Sequence, residues 1–258
     1  MRHGTLRSPD YRGVPVIPPD HPRYRSLVTR ERLAEYARSG VVAMEGLTSH
    51  GRGEAFDYLI GEQTTATARL AEQTAAAMLM SARHPVISVN GNTAALAAPE
   101  IAALQKACGA LVEVNLFHRT GQRVLQIEEI LRNAGADVYS GEAERLLPLT
   151  HDRAWCRREG MYSADVILVP LEDGDRCEAL IGMGKKVIAV DLNPLSRTAK
   201  TATLTVVDEV TRALPEIAKA CLELSPADRN RLLASLDNHY LLSEAIREIT
   251  LRLSHALD

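Results

Sequence analysis

Residues 50–59, HGRGEAFDYL, place the His50 imidazole, the Arg52 guanidinium and the Glu54 carboxylate within five positions of one another. Arg52 has a glycine on each side, so its own backbone is bare. Two readings compete for this stretch. Locally it is a glycine-rich turn that opens a helix carrying Phe56 and Tyr58 into the core. Chemically it is a cation with close access to an anion.

Four further strings carry groups of the same kind. Asn90-Gly91-Asn92-Thr93 precedes the helical run TAALAAPEIAAL, and backbone N–H groups at a helix start attract anions, phosphate first among them; a plain helix cap by Asn92 or Thr93 is the alternative. His118 and Arg119 follow VEVNLF, where Arg119 can meet an anion or simply sit in solvent. Glu172, Asp173 and Asp175 crowd one loop, which suits Mg²⁺ or a substrate ammonium as well as it suits a solvated turn. In DLNPLSRT, Asp191 can bond ribose hydroxyls and Arg197 can reach phosphate.

All four strings follow short apolar runs rich in Val and Ile: 85–90, 111–116, 165–170 and 186–191, with another at 203–208. Helical patterns separate most of them, at 93–107, 121–134, 175–183 and 209–223. Strands apolar on both faces that alternate with helices form a mostly parallel sheet with helices on both faces, the Rossmann-like α/β class. In such sheets ligands bind beyond the carboxyl ends of the strands. Glu113 and Asn115 interrupt their strand on one face, and buried polar groups of this kind need partners, a ligand among the candidates.

Residues 26–39 and 64–83 are expected to form helices ahead of the sheet, the second preceded by a turn at Gly61, and helices continue after Ser225, a candidate N-cap followed by Pro226. The expected organisation is an irregular lead-in at 1–20 and a single domain over 21–258. That domain comprises a helical part (21–84), the sheet core (85–223) and C-terminal helices (224–258).

The chain has 258 residues, 46% hydrophobic and 24% charged, with a net charge of -3. This gives no electrostatic reason for nucleic-acid or membrane binding. Four scattered cysteines without a Cys-x-x-Cys pair read as cytoplasmic thiols. No signal peptide or long apolar span is visible. The chain also lacks G-x-G-x-x-G, the P-loop and G-x-S-x-G, which disfavours a dinucleotide oxidoreductase, a P-loop NTPase and an α/β-hydrolase.

Taken in order, HPRYRSL (21–27), HGRGEAFDYLIGE (50–62), HPVISVNGNTAAL (84–96), VNLFHRT (114–120), YSADVILVPLEDGDR (162–176) and DLNPLSRTA (191–199) resemble the archaeal phosphopantothenate synthetases, the 4-phosphopantoate–β-alanine ligases. The resemblance implies a cytoplasmic homodimer that joins 4-phosphopantoate to β-alanine with ATP in coenzyme A biosynthesis, releasing AMP and diphosphate. It implies ATP contacts at Arg30, Arg52, Asp191, Leu192, Asn193, Arg197, Thr198, Glu209 and Val210. On that basis Asn90, Gly91, Asn92, Thr93 and Arg119 are expected to hold the 4-phosphate. Arg52 is expected to stabilise the reacting anions, His50 or Glu54 to handle protons, and Asp173 and Asp175 to hold Mg²⁺ or an ammonium.

Overall fold

The computed structural model describes residues 17–170 and 173–256; most of the expected lead-in, and Glu172 of the acidic loop, lie outside them. Three helices come first: α1 (Tyr24–Arg38), α2 (Met44–Ile60) and α3 (Ala66–Ser81). Alternation follows, with β1 (Pro85–Val89), α4 (Gly91–Cys108), β2 (Leu111–Val114) and α5 (Gly121–Asn133). The short strands β3 (Glu144–Arg145) and β4 (Trp155–Cys156) pair antiparallel. Then come β5 (Val166–Pro170), α6 (Gly174–Gly182), β6 (Lys186–Val190), α7 (Arg197–Thr201), β7 (Leu204–Val206), α8 (Val210–Glu223), α9 (Pro226–Ala234) and α10 (Asn238–Ser254).

Five strands form one parallel sheet in the order β2-β1-β5-β6-β7. Val and Ile fill its strands because β-branched side chains pack well on a pleated surface. One set of alternate residues, including Ile87, Val89, Val112, Val114, Leu168, Ile188 and Val206, joins the main core with α3, α4, α5 and α8. The other set, Val86, Ile167, Val169, Val187 and Ala189, packs against Cys156, Met161 and α6. Both faces are therefore covered, as the apolar runs predict.

The Gly61 turn is where the sequence places it: Gly61 ends α2 in the left-handed region at φ 85°, which a side chain would strain. Ser225 caps α9 by accepting from the Asp228 N–H at 3.2 Å, with Pro226 in the first turn.

The HGRGEAFDYL stretch departs from its local reading. It is not a turn before a helix, because α2 runs straight through it. Nor does it carry Tyr58 into the core: Tyr58 is 65% exposed, and Asp57 and Ile60 are the buried residues. Three glycines in the helix at 46, 51 and 53 weaken its propensity by about 1 kcal/mol each. Tertiary bonds compensate. Arg212 on α8 reaches both oxygens of Asp57, at 3.1 and 2.5 Å, and the Asn92 amide donates to the Gly46 carbonyl at 2.8 Å.

Candidate active site

β1 and β5 are neighbours in the sheet, yet the chain leaves them toward opposite edges, to β2 on one side and β6 on the other. A crevice opens at such a switch point. Asn90 caps α4 there, accepting from the Thr93 N–H at 2.9 Å, and its amide donates to the Pro170 carbonyl at 3.2 Å. The Thr93 hydroxyl donates to the same carbonyl at 3.3 Å. The turn does cap α4, but the capping side chain is Asn90 and not Asn92 or Thr93, which already lie inside the helix. It also ties the two strand ends into one rim. A Cβ on Gly91 would lie 2.2 Å from the Val41 carbonyl oxygen, so only glycine fits.

α2 supplies a second wall. His50 and Glu54, four residues apart, share one helix face. The Arg30 Nε donates to both Glu54 oxygens at 2.9 and 3.0 Å, and the Ser26 hydroxyl donates to the same carboxylate. Burial pushes the Glu54 pKa up, but the Arg30 and Ser26 hydrogen bonds and nearby positive charge outweigh it, and the net shift is downward. Burial lowers the His50 pKa, partly offset by the Glu54 charge, so the imidazole stays neutral and proton-accepting. Arg52 is exposed and its charge acts on Asp191 at the end of β6. Leu192 packs on the same helix, 3.7 Å from where a Cβ on Gly53 would lie.

Asp191 opens the third wall. Its carboxylate accepts from the Asn193 N–H at 2.9 Å and from the Ser196 hydroxyl at 2.5 Å, while burial raises its pKa. Thr198 is buried in α7, and Arg197 ion-pairs with Asp175 across the Gly174 backbone. After β7, Glu209 caps α8 by accepting from the Thr211 N–H at 2.8 Å, and Val210 is buried. The Glu209 side chain is therefore engaged with its own helix.

Asp173 caps α6 through the Arg176 N–H at 3.0 Å and pairs with the Arg153 Nε at 3.1 Å. Its carboxylate, that of Asp175 and the His151 ring offer atoms that lie within 4.8 Å of one another. The His151 ring stacks on Phe117 at 4.7 Å, and neither of its nitrogens has a hydrogen-bond partner among the described residues. Two carboxylates suit a hard cation, and the unsatisfied imidazole is a further donor. Arg153 and Arg197 already neutralise the two acids, however, so a cation would share or displace those contacts.

The Arg119 backbone N–H donates to Asp152 at 2.9 Å, and burial and the Arg157 charge lower the pKa of its half-buried guanidinium. Glu113 and Asn115, for which a ligand was one candidate partner, are satisfied by the chain itself. Glu113 accepts from the Arg157 and Met161 N–H groups at 2.8 and 2.7 Å. The Asn115 amide donates to the Trp155 carbonyl at 2.8 Å.

The structure thus brings together His50, Glu54 and Arg30 as one cluster, Arg52 and Asp191 as a second, and Arg197, Asp175 and Asp173 as a third. Sequence reading missed His151 and Arg153, because nothing local marks a loop that docks on a polar strand face. It also missed the buried Asp57–Arg212–Asp208 bridge, which joins α2 to the end of β7. The position of Asp208 at a strand end was the available signal.

A family model described as phosphopantothenate/pantothenate synthetase matches residues 67–252. A protein of Methanospirillum hungatei named 4-phosphopantoate–beta-alanine ligase is 58% identical over 94% of this chain and 100% of its own length. Relatives of the same name from Methanosarcina mazei and Thermococcus kodakarensis are 52% and 47% identical, over 90% and 92% of this chain and 94% of each of theirs. On the family-model match and this identity over nearly its whole length, the chain belongs to the phosphopantothenate/pantothenate synthetase family.

Proposed function

We propose that the protein joins (R)-4-phosphopantoate to β-alanine with ATP, giving 4'-phosphopantothenate, AMP and diphosphate for coenzyme A biosynthesis in the cytoplasm. The observation that carries this reading is the 58% identity to the Methanospirillum hungatei ligase along that protein's whole length. The chemistry of the crevice supports it. A carboxylate does not acylate an amine at neutral pH, so ATP must first activate it. In the proposed sequence a carboxylate oxygen of phosphopantoate attacks the α-phosphorus, and the bond to diphosphate breaks. The β-alanine nitrogen then attacks the acyl carbon of the adenylate, and the bond to AMP breaks.

Both steps crowd anions, which makes positioning and cationic stabilisation the main catalytic requirements. Arg52, Arg30 and Arg197 meet the triphosphate. Asp191, Leu192 and Asn193 face the nucleoside, while Thr198, Glu209 and Val210 complete that wall, Glu209 through its backbone. Asn90 to Thr93 and Arg119 take the phosphate ester. The amine must lose a proton, and neutral His50 is the better acceptor because Arg30 keeps Glu54 anionic and engaged. Mg²⁺, when bound, neutralises phosphate charge; Asp173 and Asp175, with His151 beside them, would hold it. By family resemblance the working unit is a homodimer, and Tyr240, Leu251 and Leu253 on α10 leave apolar surface for a second copy.

Incubation with ATP, 4-phosphopantoate and β-alanine should give stoichiometric AMP and diphosphate. ADP in place of AMP would sink the adenylate route, and no product at all would sink the reading. Single-turnover rates for His50→Ala and Glu54→Gln assign the base, and wild-type rates in both would remove the role from each.

A further inference from the structure

α2 carries His50, Arg52 and Glu54, yet packing does little to fix where it sits. Of its 17 residues only Asp57 and Ile60 are buried, and three of the others are glycines. The placement of such a helix, along and around its axis, falls to directional contacts. Asp57 makes the strongest of them. Residues 50, 54 and 57 share one face of the helix by spacing, so Asp57 stands one turn beyond Glu54 on the face of His50.

Arg212, in the first turn of α8, donates Nη1 and Nη2 to the two Asp57 oxygens at 3.1 and 2.5 Å. The same guanidinium donates Nε and Nη2 to one oxygen of Asp208 at 2.9 and 2.6 Å. That oxygen also accepts from the Glu209 N–H at 2.7 Å, and the other accepts from the Thr64 hydroxyl, between α2 and α3, at 2.5 Å. Both carboxylates are buried. Burial works against the Arg212 charge, but the Asp57 hydrogen bond and the Asp208 charge outweigh it and raise its pKa.

A buried ion pair adds little net stability over apolar side chains of the same volume. What it supplies is a planar fork that accepts one relative placement of its partners. The elements so tied are two walls of the crevice. The Asp57 charge acts on His50, and the Arg212 and Asp57 charges both act on Glu209.

We propose that Arg212 is a positioning residue: by gripping Asp57 and Asp208 together it sets the distance between the α2 wall and the Glu209–Val210 turn, and so the place of the nucleotide between them. The inference rests on the ligase reading and adds to it a residue that acts through others.

The test compares wild type with Arg212→Lys, which keeps the charge and removes the fork, and Asp57→Asn, which keeps the shape and removes the charge. In each, the KM for ATP should rise about 10-fold and kcat at saturating ATP should fall by a similar factor, as misplaced reacting groups require. The KM for 4-phosphopantoate should stay within about twofold, since Asn90 to Thr93 and Arg119 stand on other elements. The double variant should be no worse than the poorer single one, because both cut the same link. A lower Tm with every KM unchanged would make the bridge merely structural and overturn the proposal. An equal rise in the KM of all three substrates overturns it too. If Arg212→Lys does not fold, Asp57→Asn carries the comparison alone. If wild type makes no AMP, the ligase reading fails separately, and calorimetric binding of ATP then tests the bridge. A Kd about 10-fold weaker in Arg212→Lys supports the proposal. A Kd equal in variant and wild type, or no binding by wild type, overturns it.

Discussion

The two faces of the sheet are built differently. On one, Ile87, Val89, Val112, Val114, Leu168 and Ile188 meet helices whose buried positions are aliphatic, such as Ile101 and Leu104 on α4 and Leu214 and Ile217 on α8. On the other, the carboxyl ends of β1 and β2 present Ser88, Glu113 and Asn115. Charged and polar groups cover them: Arg176 donates to the Ser88 hydroxyl at 3.0 Å, Arg153 to the Asn115 carbonyl at 3.2 Å, and the Arg157 backbone to Glu113. The first face supplies hydrophobic stabilisation, which is non-directional and tolerant of the choice of partner. The second uses bonds that exist only in one geometry, and so it sets the position of one segment. That segment carries His151, Asp152 and Arg153 to the crevice. The apolar face keeps the sheet folded, and the polar face places the site loop upon it.

The sharpest way to break this contrast is Glu113→Ala. It strands the N–H groups of Arg157 and Met161 in a buried position and removes a charge that acts on Arg157 and Arg176. About 4 kcal/mol of stability should be lost in urea unfolding, with activity falling further than stability explains. A loss below about 1 kcal/mol would mean that the polar face is not what holds the loop.

Leu104→Ala on the opposite face should cost about 3 kcal/mol through its cavity. Here the KM values of the folded fraction should remain those of wild type. A KM change as large as that of Glu113→Ala would erase the distinction between the faces.

Glu72 on α3 is a carboxyl group enclosed on the apolar side. It is buried, and burial together with the charge and a side-chain hydrogen bond of Asp208 pushes its pKa up to about 9. The folded protein thus holds a proton that the unfolded chain releases above about pH 4.5, and stability falls as pH rises from there to about 9. Glu72→Gln should remove that slope, gaining on the order of 5 kcal/mol at about pH 8 and almost nothing at about pH 4.5. Parallel pH profiles of Tm for the two proteins would contradict the protonated state.

The smallest effect belongs to neither face. Ser225→Ala deletes the exposed cap of α9 and should cost about 1 kcal/mol with unchanged kinetics. Any effect on turnover would tie α9 to the crevice, where the structure gives it no place.

The α/β alternation, the five parallel strands and most of their helices are legible because β-branched runs and helical periodicity are local properties. α2 is the exception, since its glycines lower helix propensity and its stability comes from Asp57, Glu54 and Gly46 meeting distant residues. The polar row of Glu113 and Asn115 was readable as a demand for partners. Which partners answer it was not, because residues 153–161 reach them across more than thirty positions of chain, and local pattern carries no information about that closure.

Composition and motif order by themselves determined the fold class, the family and the strand ends at which chemistry can occur, because periodicity and residue type act over a few positions. Only the tertiary structure decided that His50, Arg52 and Glu54 stand on a helix and not a turn. Only it showed that His151 joins the acidic loop and that Arg123, bonded to the Val41 and His118 carbonyls, lies beside Gly91. Each of these depends on distant segments meeting at angstrom precision, where burial and charge are properties of the assembled neighbourhood and not of any one stretch of chain.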